Sequence, residues 1–377
     1  MLRRREPSGR PPLAPRYGSQ GSGSGDRDEG RDVLASPRVL VPNPLKQRLF
    51  GMRREDCTFA ALGYDECQNE PLRRHLEGVL HVAVDAFQLA MSQPDLDLVV
   101  AELERELDDH HRGFAFEGVG AYLAAVDLAT WGATRRLDEL VRGPAGHHDG
   151  LALLGAGFAV ARVPWGAVLW RRYRERLDAA LAWCMADGLG FHQGLFRHRQ
   201  WIRQRRSPPG FLPSYDRSAF DSGIGRALWW VEGADPRRIA DSIGSFPANR
   251  QGELWKGIGT ACTYAAGRDG EALRDLDRRS GAWRSDFLSG VSFAPLIRRR
   301  GRNPSELTDR ACRELLGMTA DQAADMTQEV VTETEQSLAG SSRRSREIYD
   351  EMRRRMRERP QISTPRRTAT GVPVALT

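Results

Sequence analysis

Glycine pairs separated by one residue recur along this chain, at Gly118/Gly120, Gly155/Gly157, Gly188/Gly190, Gly223/Gly225 and Gly257/Gly259. A glycine inside a helix costs about 1 kcal/mol in propensity, so such pairs call for a compensating close approach of helix backbones. A phosphate loop would need a strand before the pair and a third glycine after it. No strand precedes these pairs, and Val160 stands where a third glycine would follow Gly155 and Gly157. Close helix packing is therefore the reading that these residues favour.

Part of the pattern is duplicated. Arg112 to Asp127 and Gly146 to Arg162 resemble Arg250 to Asp269 and Gly281 to Arg298. Gly118 and Gly120 return 139 residues later as Gly257 and Gly259. Gly155, Phe158 and Ala159 return as Gly290, Phe293 and Ala294. That offset exceeds solenoid repeats of roughly 20 to 50 residues. It predicts two related multi-helix lobes packed face to face around a groove, where ligand sites are common.

The fold class expected is all-α. Apolar residues recur at helical spacing through Leu76, Val79, Leu80, Ala83, Val84, Phe87 and Met91, and helix follows helix with Gly or Pro breaks as far as Leu338. Asp97 to Leu107, Gly113 to Trp131, Leu151 to Val163, Trp165 to Ala186 and Phe191 to Arg205 read as first-lobe helices. Ser207-Pro208-Pro209-Gly210 is the strongest internal break. The expected organisation is a disordered tail over 1–40, a first lobe over 41–206, a second over 207–338, and a charged solvated helix with a disordered tail over 339–377. Ser305 and Thr319 are expected N-caps.

Charge and cysteine content exclude several classes. The formal charge is +6, yet only Lys46 and Lys256 are lysines, and much of the arginine excess lies in the tails. No groove-reading motif accompanies it, so nucleic acid is not an expected partner. Five scattered cysteines without CxxC spacing support neither a disulfide framework nor a zinc knuckle. The N-terminus lacks an apolar signal region, and Arg162 and Pro164 interrupt the longest apolar stretch. A reduced, cytoplasmic protein is expected, peripheral to a membrane only through partners.

All eight histidines lie between His75 and His198, which points to chemistry in the first lobe. Asp187 to His198 is the densest candidate: Asp187 and His192 stand five residues apart around an expected glycine turn. Imidazole is near neutral at cellular pH, so His192 is a candidate general base or metal ligand; as a plain alternative, Asp187 caps a helix and His192 fills the core. His147-His148-Asp149 precedes another helix, where the second copy has Ala282, Trp283 and Arg284. Adjacent histidines diverge on a helix, so one at most, His148, is expected to reach a shared centre. Glu117 precedes Gly118 as Lys256 precedes Gly257; these opposite charges would face the groove or lie on solvated faces. Asp221 and Arg226 are expected to pair, as are His81 and Asp85, while His110 and His111 read as surface residues. The tryptophans Trp229, Trp230, Trp255 and Trp283 read as core or cavity wall. No HExxH, paired ExxH, GxSxG or P-loop signature occurs, so no spacing supports a metal site.

Several strings carry a family resemblance: RGFAFEG (Arg112 to Gly118), DGLGFHQGLF (Asp187 to Phe196), AFDSGIGRALWWVEGAD (Ala219 to Asp235) and WKGIGTACTYAAG (Trp255 to Gly267). With QRLFGMRREDCTFAALGY near the N-terminus, they resemble the UnbL-type family of actinobacterial enediyne gene clusters, over roughly residues 45 to 330. The resemblance implies a role beside the iterative polyketide synthase and thioesterase, in converting a polyene intermediate to the enediyne core. The implied partners are an apolar polyene or polyketide-derived molecule and other cluster proteins, some of them membrane-bound; no cofactor is implied. A second histidine of the family pattern falls where this chain has Leu153, while His148 and His192 match. His192, His148, Asp187 and Glu117 are thus the candidate acid/base groups or metal ligands. The competing expectation is a non-catalytic scaffold or carrier for the reactive polyene.

Overall fold

The computed structural model describes residues 51–363 except 65, 66, 68, 164, 177–180 and 340–343. The tails expected over 1–40 and past 363 lie outside the described residues. Those described form helices and connecting turns with no strand, as the periodicity predicts. The α-helices of more than four residues, in chain order, are α1 (Glu70–Ser92), α2 (Leu96–Glu106), α3 (Asp109–Ala129), α4 (Arg136–Arg142), α5 (Asp149–Arg162), α6 (Gly166–Arg174), α7 (Ala182–Phe196) and α8 (Ser214–Val231). They continue with α9 (Pro236–Gly244), α10 (Ala248–Tyr264), α11 (Gly270–Ser280), α12 (Arg284–Arg300), α13 (Glu306–Leu316), α14 (Ala320–Ser337) and α15 (Arg344–Glu358). None of the described helices is long and apolar enough to cross a membrane.

Local chemistry sets many of the starts. Asn69, Asp95, Asp108, Asp235 and Asp269 each accept a backbone N–H of the helix they precede, satisfying donors that a helix start leaves orphaned. Thr319 does the same in a capping box with Gln322. Ser305 occupies the N-cap of α13 without capping it; its hydroxyl lies 3.1 Å from His110 Nδ1 instead. The single helix expected from Trp165 to Ala186 is two, α6 and α7, and the turn expected at Gly188/Gly190 is the middle of α7.

Eight long helices (α1, α3, α5, α7, α8, α10, α12 and α14) lie side by side in that order. Neighbours run parallel, since contacts advance together along both chains. Gly118 meets Ala83 and Tyr122 meets Phe87; Gly188 meets Leu154 and His192 meets Phe158; Gly190 meets Phe220 and Gly194 meets Ala227. The glycine pairs make this row possible. Residues i and i+2 stand about 200° apart around a helix, so each pair offers one bare face to the preceding helix and one to the next. A methyl on Gly155 would sit 2.0 Å from the Glu117 carbonyl oxygen, and one on Gly157 would sit 2.3 Å from that of Met185.

The same register point returns at Gly118, Gly155, Gly188, Gly223, Gly257 and Gly290, every 33 to 37 residues. The 139-residue offset is four of these shorter steps, within the range of helical repeat arrays. The expected division at residue 207 is accordingly no packing boundary: α7 and α8 interlock across it at Gly190 and Gly223. The row also curls back on itself. Phe114 on α3 meets Tyr264 at the end of α10 edge-on at 5.0 Å, and Asp149 at the start of α5 pairs with Arg300 at the end of α12 at 2.9 Å. Trp230 donates its indole N–H to the Leu76 carbonyl of α1 and also lines the cavity that the row encloses, while the buried Trp229 donates to the Ala266 carbonyl just past α10.

Helix α15 departs from expectation. Its charged sequence predicts a solvated helix, yet Ile348, Tyr349, Met352 and Met356 are buried. They recur at helical spacing and form an apolar stripe beneath the arginines.

Candidate functional site

The curled row encloses a cavity of about 110 Å³ with a mainly apolar wall. The helix geometry that seats the glycines also fills it. The residue before each pair lies about 100° from the first glycine, on the bisector between the two neighbouring helices. Glu117, Leu154, Asp187, Ser222 and Lys256 occupy that position on successive helices, and all five line the cavity. Glu117 and Lys256 do face one interior space, as their matched positions suggested.

Glu117 and Asp187 converge on Arg226 of α8. Arg226 Nη1 donates to Asp187 Oδ1 at 2.7 Å and Nη2 to Glu117 Oε1 at 3.0 Å, and its guanidinium lies 4.3 Å from the centre of the Phe191 ring. All three side chains are buried. Burial pushes the Glu117 carboxyl upward while Arg226 opposes it. The two carboxylates together hold Arg226 charged despite its desolvation. Asp221 is not its partner. Five residues place two side chains about 140° apart on a helix, and Asp221 instead accepts Arg250 Nη2 at 2.6 Å.

Lys256 anchors a second polar cluster. Its ammonium donates to the Tyr349 hydroxyl at 2.8 Å, which donates onward to Glu253 at 2.8 Å. The rings of Trp183, Phe293 and Tyr349 surround it at 5.2, 5.1 and 4.2 Å. Glu253 also pairs with Arg353, and Asp286 accepts Arg357 Nε at 2.7 Å. These bonds clamp α15 onto the inner helices, and Ile348 and Met352 complete the cavity wall. Burial lowers Lys256 to about 8, with Glu253 resisting the shift.

The chain has only two lysines, so this value is directly measurable. In a side-chain nitrogen NMR titration of the Lys46→Arg variant, which leaves Lys256 as its one lysine, that lysine should titrate near 8; titration near the ordinary ~10.4 would contradict the buried cage. The folded value lies below the unfolded one, so the unfolded chain binds the extra proton between them. This lysine therefore makes the fold more stable as pH rises from about 8 to about 10.4.

The histidines separate. His148 lines the cavity wall and stacks on Phe116 at 3.9 Å and 17°. Burial, with His147 and Arg112 adding to it, lowers His148 to about 3. His192 is buried on another side of α7, between Phe158 and Phe196, and is not among the lining residues. Burial and the charges of Arg162 and Arg197 keep it neutral. His81 does not pair with Asp85, which accepts Arg54 Nε at 2.8 Å. His110 is half-buried against His75, Phe114 and Arg298 rather than a surface residue. His147 and His148 do not diverge as on an α-helix: the 3-10 turn Gly146–His148 brings their rings within 4.4 Å. Glu104 of α2 lies 3.0 Å from His147 Nε2.

Sequence reasoning did not pick out Arg226 as the hub, nor Glu253, Tyr349, Arg353 and Glu104. The buried stripe of α15 was available as a signal for Tyr349; nothing local marks the others.

Residues 42–359 match the family described as protein of unknown function (DUF1702), and the chain belongs to that family. No curated protein and no solved structure gives a match.

Proposed function

We propose that this DUF1702 protein binds a slender apolar small molecule in the cavity of its curled helix row. Its resemblance to the UnbL-type proteins suggests which one: the polyene intermediate on the way to an enediyne core. The observation that carries the reading is the combination of an apolar wall with the buried Glu117–Arg226–Asp187 cluster facing inward. Apolar walls hold a hydrocarbon by dispersion and desolvation, and the charged cluster supplies the polar contact that orients it. Glu117, raised by burial, is the group suited to give or take a proton. The second reading is a carrier. It is favoured by the fact that both central carboxylates are already engaged by one guanidinium.

The test adds purified polyene to the full chain, alone and with the other proteins of its gene cluster. Binding should appear as co-elution and a shift of the polyene absorption. A new product makes the chain an enzyme; retention of intact polyene makes it a carrier. If Glu117 moves a proton, Glu117→Gln should still retain the polyene through the apolar wall but convert it at least ~100-fold more slowly, the lower end for general acid–base catalysis. Polyene that neither binds nor reacts would refute the proposal.

A further inference from the structure

We infer that Glu104, His147 and His148 form a binding site for a divalent first-row transition metal at the wall of the cavity. The three residues come from two elements, the last turn of α2 and the 3-10 turn before α5. One ligand atom from each lies within 4.8 Å of the others. Metal–ligand lengths of about 2.0–2.2 Å put tetrahedral ligand atoms about 3.3–3.6 Å apart, so modest side-chain rotation closes the set. Glu104 is exposed and free to make that rotation.

The independent observation is His148 itself. It is only 1 % exposed, and neither ring nitrogen has a hydrogen-bond partner among the described residues. A buried polar group left unpaired is costly, and a neutral imidazole recovers that cost by donating its lone pair to a metal. The stack on Phe116 fixes the ring plane, as a preorganised ligand requires. Arg112, whose charge bears on His148, is itself paired with Asp109 at 2.7 Å.

Ligand chemistry selects the ion. Two imidazoles and one carboxylate suit Zn²⁺ or Fe²⁺, while Mg²⁺ and Ca²⁺ prefer oxygen ligands. Three protein ligands leave a coordination position open. His147 and His148 both line the cavity, so that position is available to a molecule inside it.

The experiment uses the full chain without a histidine tag, stripped with a chelator and titrated with Zn²⁺, anaerobic Fe²⁺ or Mg²⁺. Calorimetry and metal analysis should find one equivalent of Zn²⁺ or Fe²⁺ and no comparable uptake of Mg²⁺. Co²⁺ should give the visible absorption of a low-coordinate site. Glu104→Gln, on an exposed side chain, should fold normally and bind at least ~10- to 100-fold more weakly, a loss that even outer-shell partners produce. His148→Phe keeps the stack and should abolish stoichiometric binding. No uptake by the unaltered chain, or unchanged affinity in both variants, would overturn the site. No organic ligand enters the assay, so the polyene reading and the metal site can fail separately.

Discussion

Replacing Arg226 with methionine should destabilise the fold by about 3–5 kcal/mol, the usual cost of leaving buried charge without its partner. The guanidinium bridges Glu117 and Asp187, through bonds of 3.0 and 2.7 Å across three helices. Methionine fills similar volume, so the loss is electrostatic rather than a cavity effect. Lysine should restore only part of it, because a single ammonium cannot fork between two carboxylates. The pH dependence distinguishes this from general damage. Without Arg226, burial and the neighbouring Asp187 carboxylate raise Glu117 unopposed, so the folded variant binds a proton that its unfolded chain releases. Its stability contribution is then present below the unfolded value of about 4.3 and lost as pH rises through the folded value. The deficit in urea midpoint should therefore shrink as pH falls toward 4. A deficit constant across pH would mean that the cluster is not the origin.

The glycine row supports an opposed pair of substitutions. Gly188→Ala places a methyl 1.9 Å from the Leu154 carbonyl oxygen and 2.6 Å from its carbon. Those atoms belong to a helix held on its other side by the same kind of contact, so they cannot retreat cheaply. Overpacking typically costs 1–3 kcal/mol and occasionally more; a clash with backbone on both flanks of a helix belongs at the upper end, about 3 kcal/mol, even after alanine regains about 1 kcal/mol of propensity. Gly78 is also helical, but a methyl there meets nothing within 4 Å. Gly78→Ala should therefore stabilise by about 1 kcal/mol. Urea denaturation of the two variants tests the row directly: stabilisation by both would show that the pairs are not close-packing contacts.

Much of the fold was legible locally. Apolar spacing predicts the helices, the cap at Thr319 predicts a start, and the glycine pairs predict close approach. The 35-residue rhythm was present in the same pairs, but the strongest similarity, between Gly118 and Gly257, spans four steps and suggests two lobes instead. The candidate site was only partly legible. Glu117 and Asp187 fall at the inward position before a glycine pair, and the structure brings them together. His148 reaches the cavity wall, whereas His192 lies on a different side of its helix. Asp221 and Arg226 look like partners by proximity, but helix geometry points them apart. The stripe of α15 is outweighed in sequence by its arginines, which reach past it to Glu253 and Asp286.

The sequence by itself determined that this chain is helical, where some of its helices begin, and that they must touch backbone to backbone, because propensity, capping and steric fit act over a few residues. Tertiary structure alone decided which charges meet. Arg226 finds its carboxylates 39 and 109 residues away, and Glu104 finds His147 across 43. Such pairings depend on how far the row turns before it meets itself, a sum of small rotations between neighbouring helices that no local pattern records.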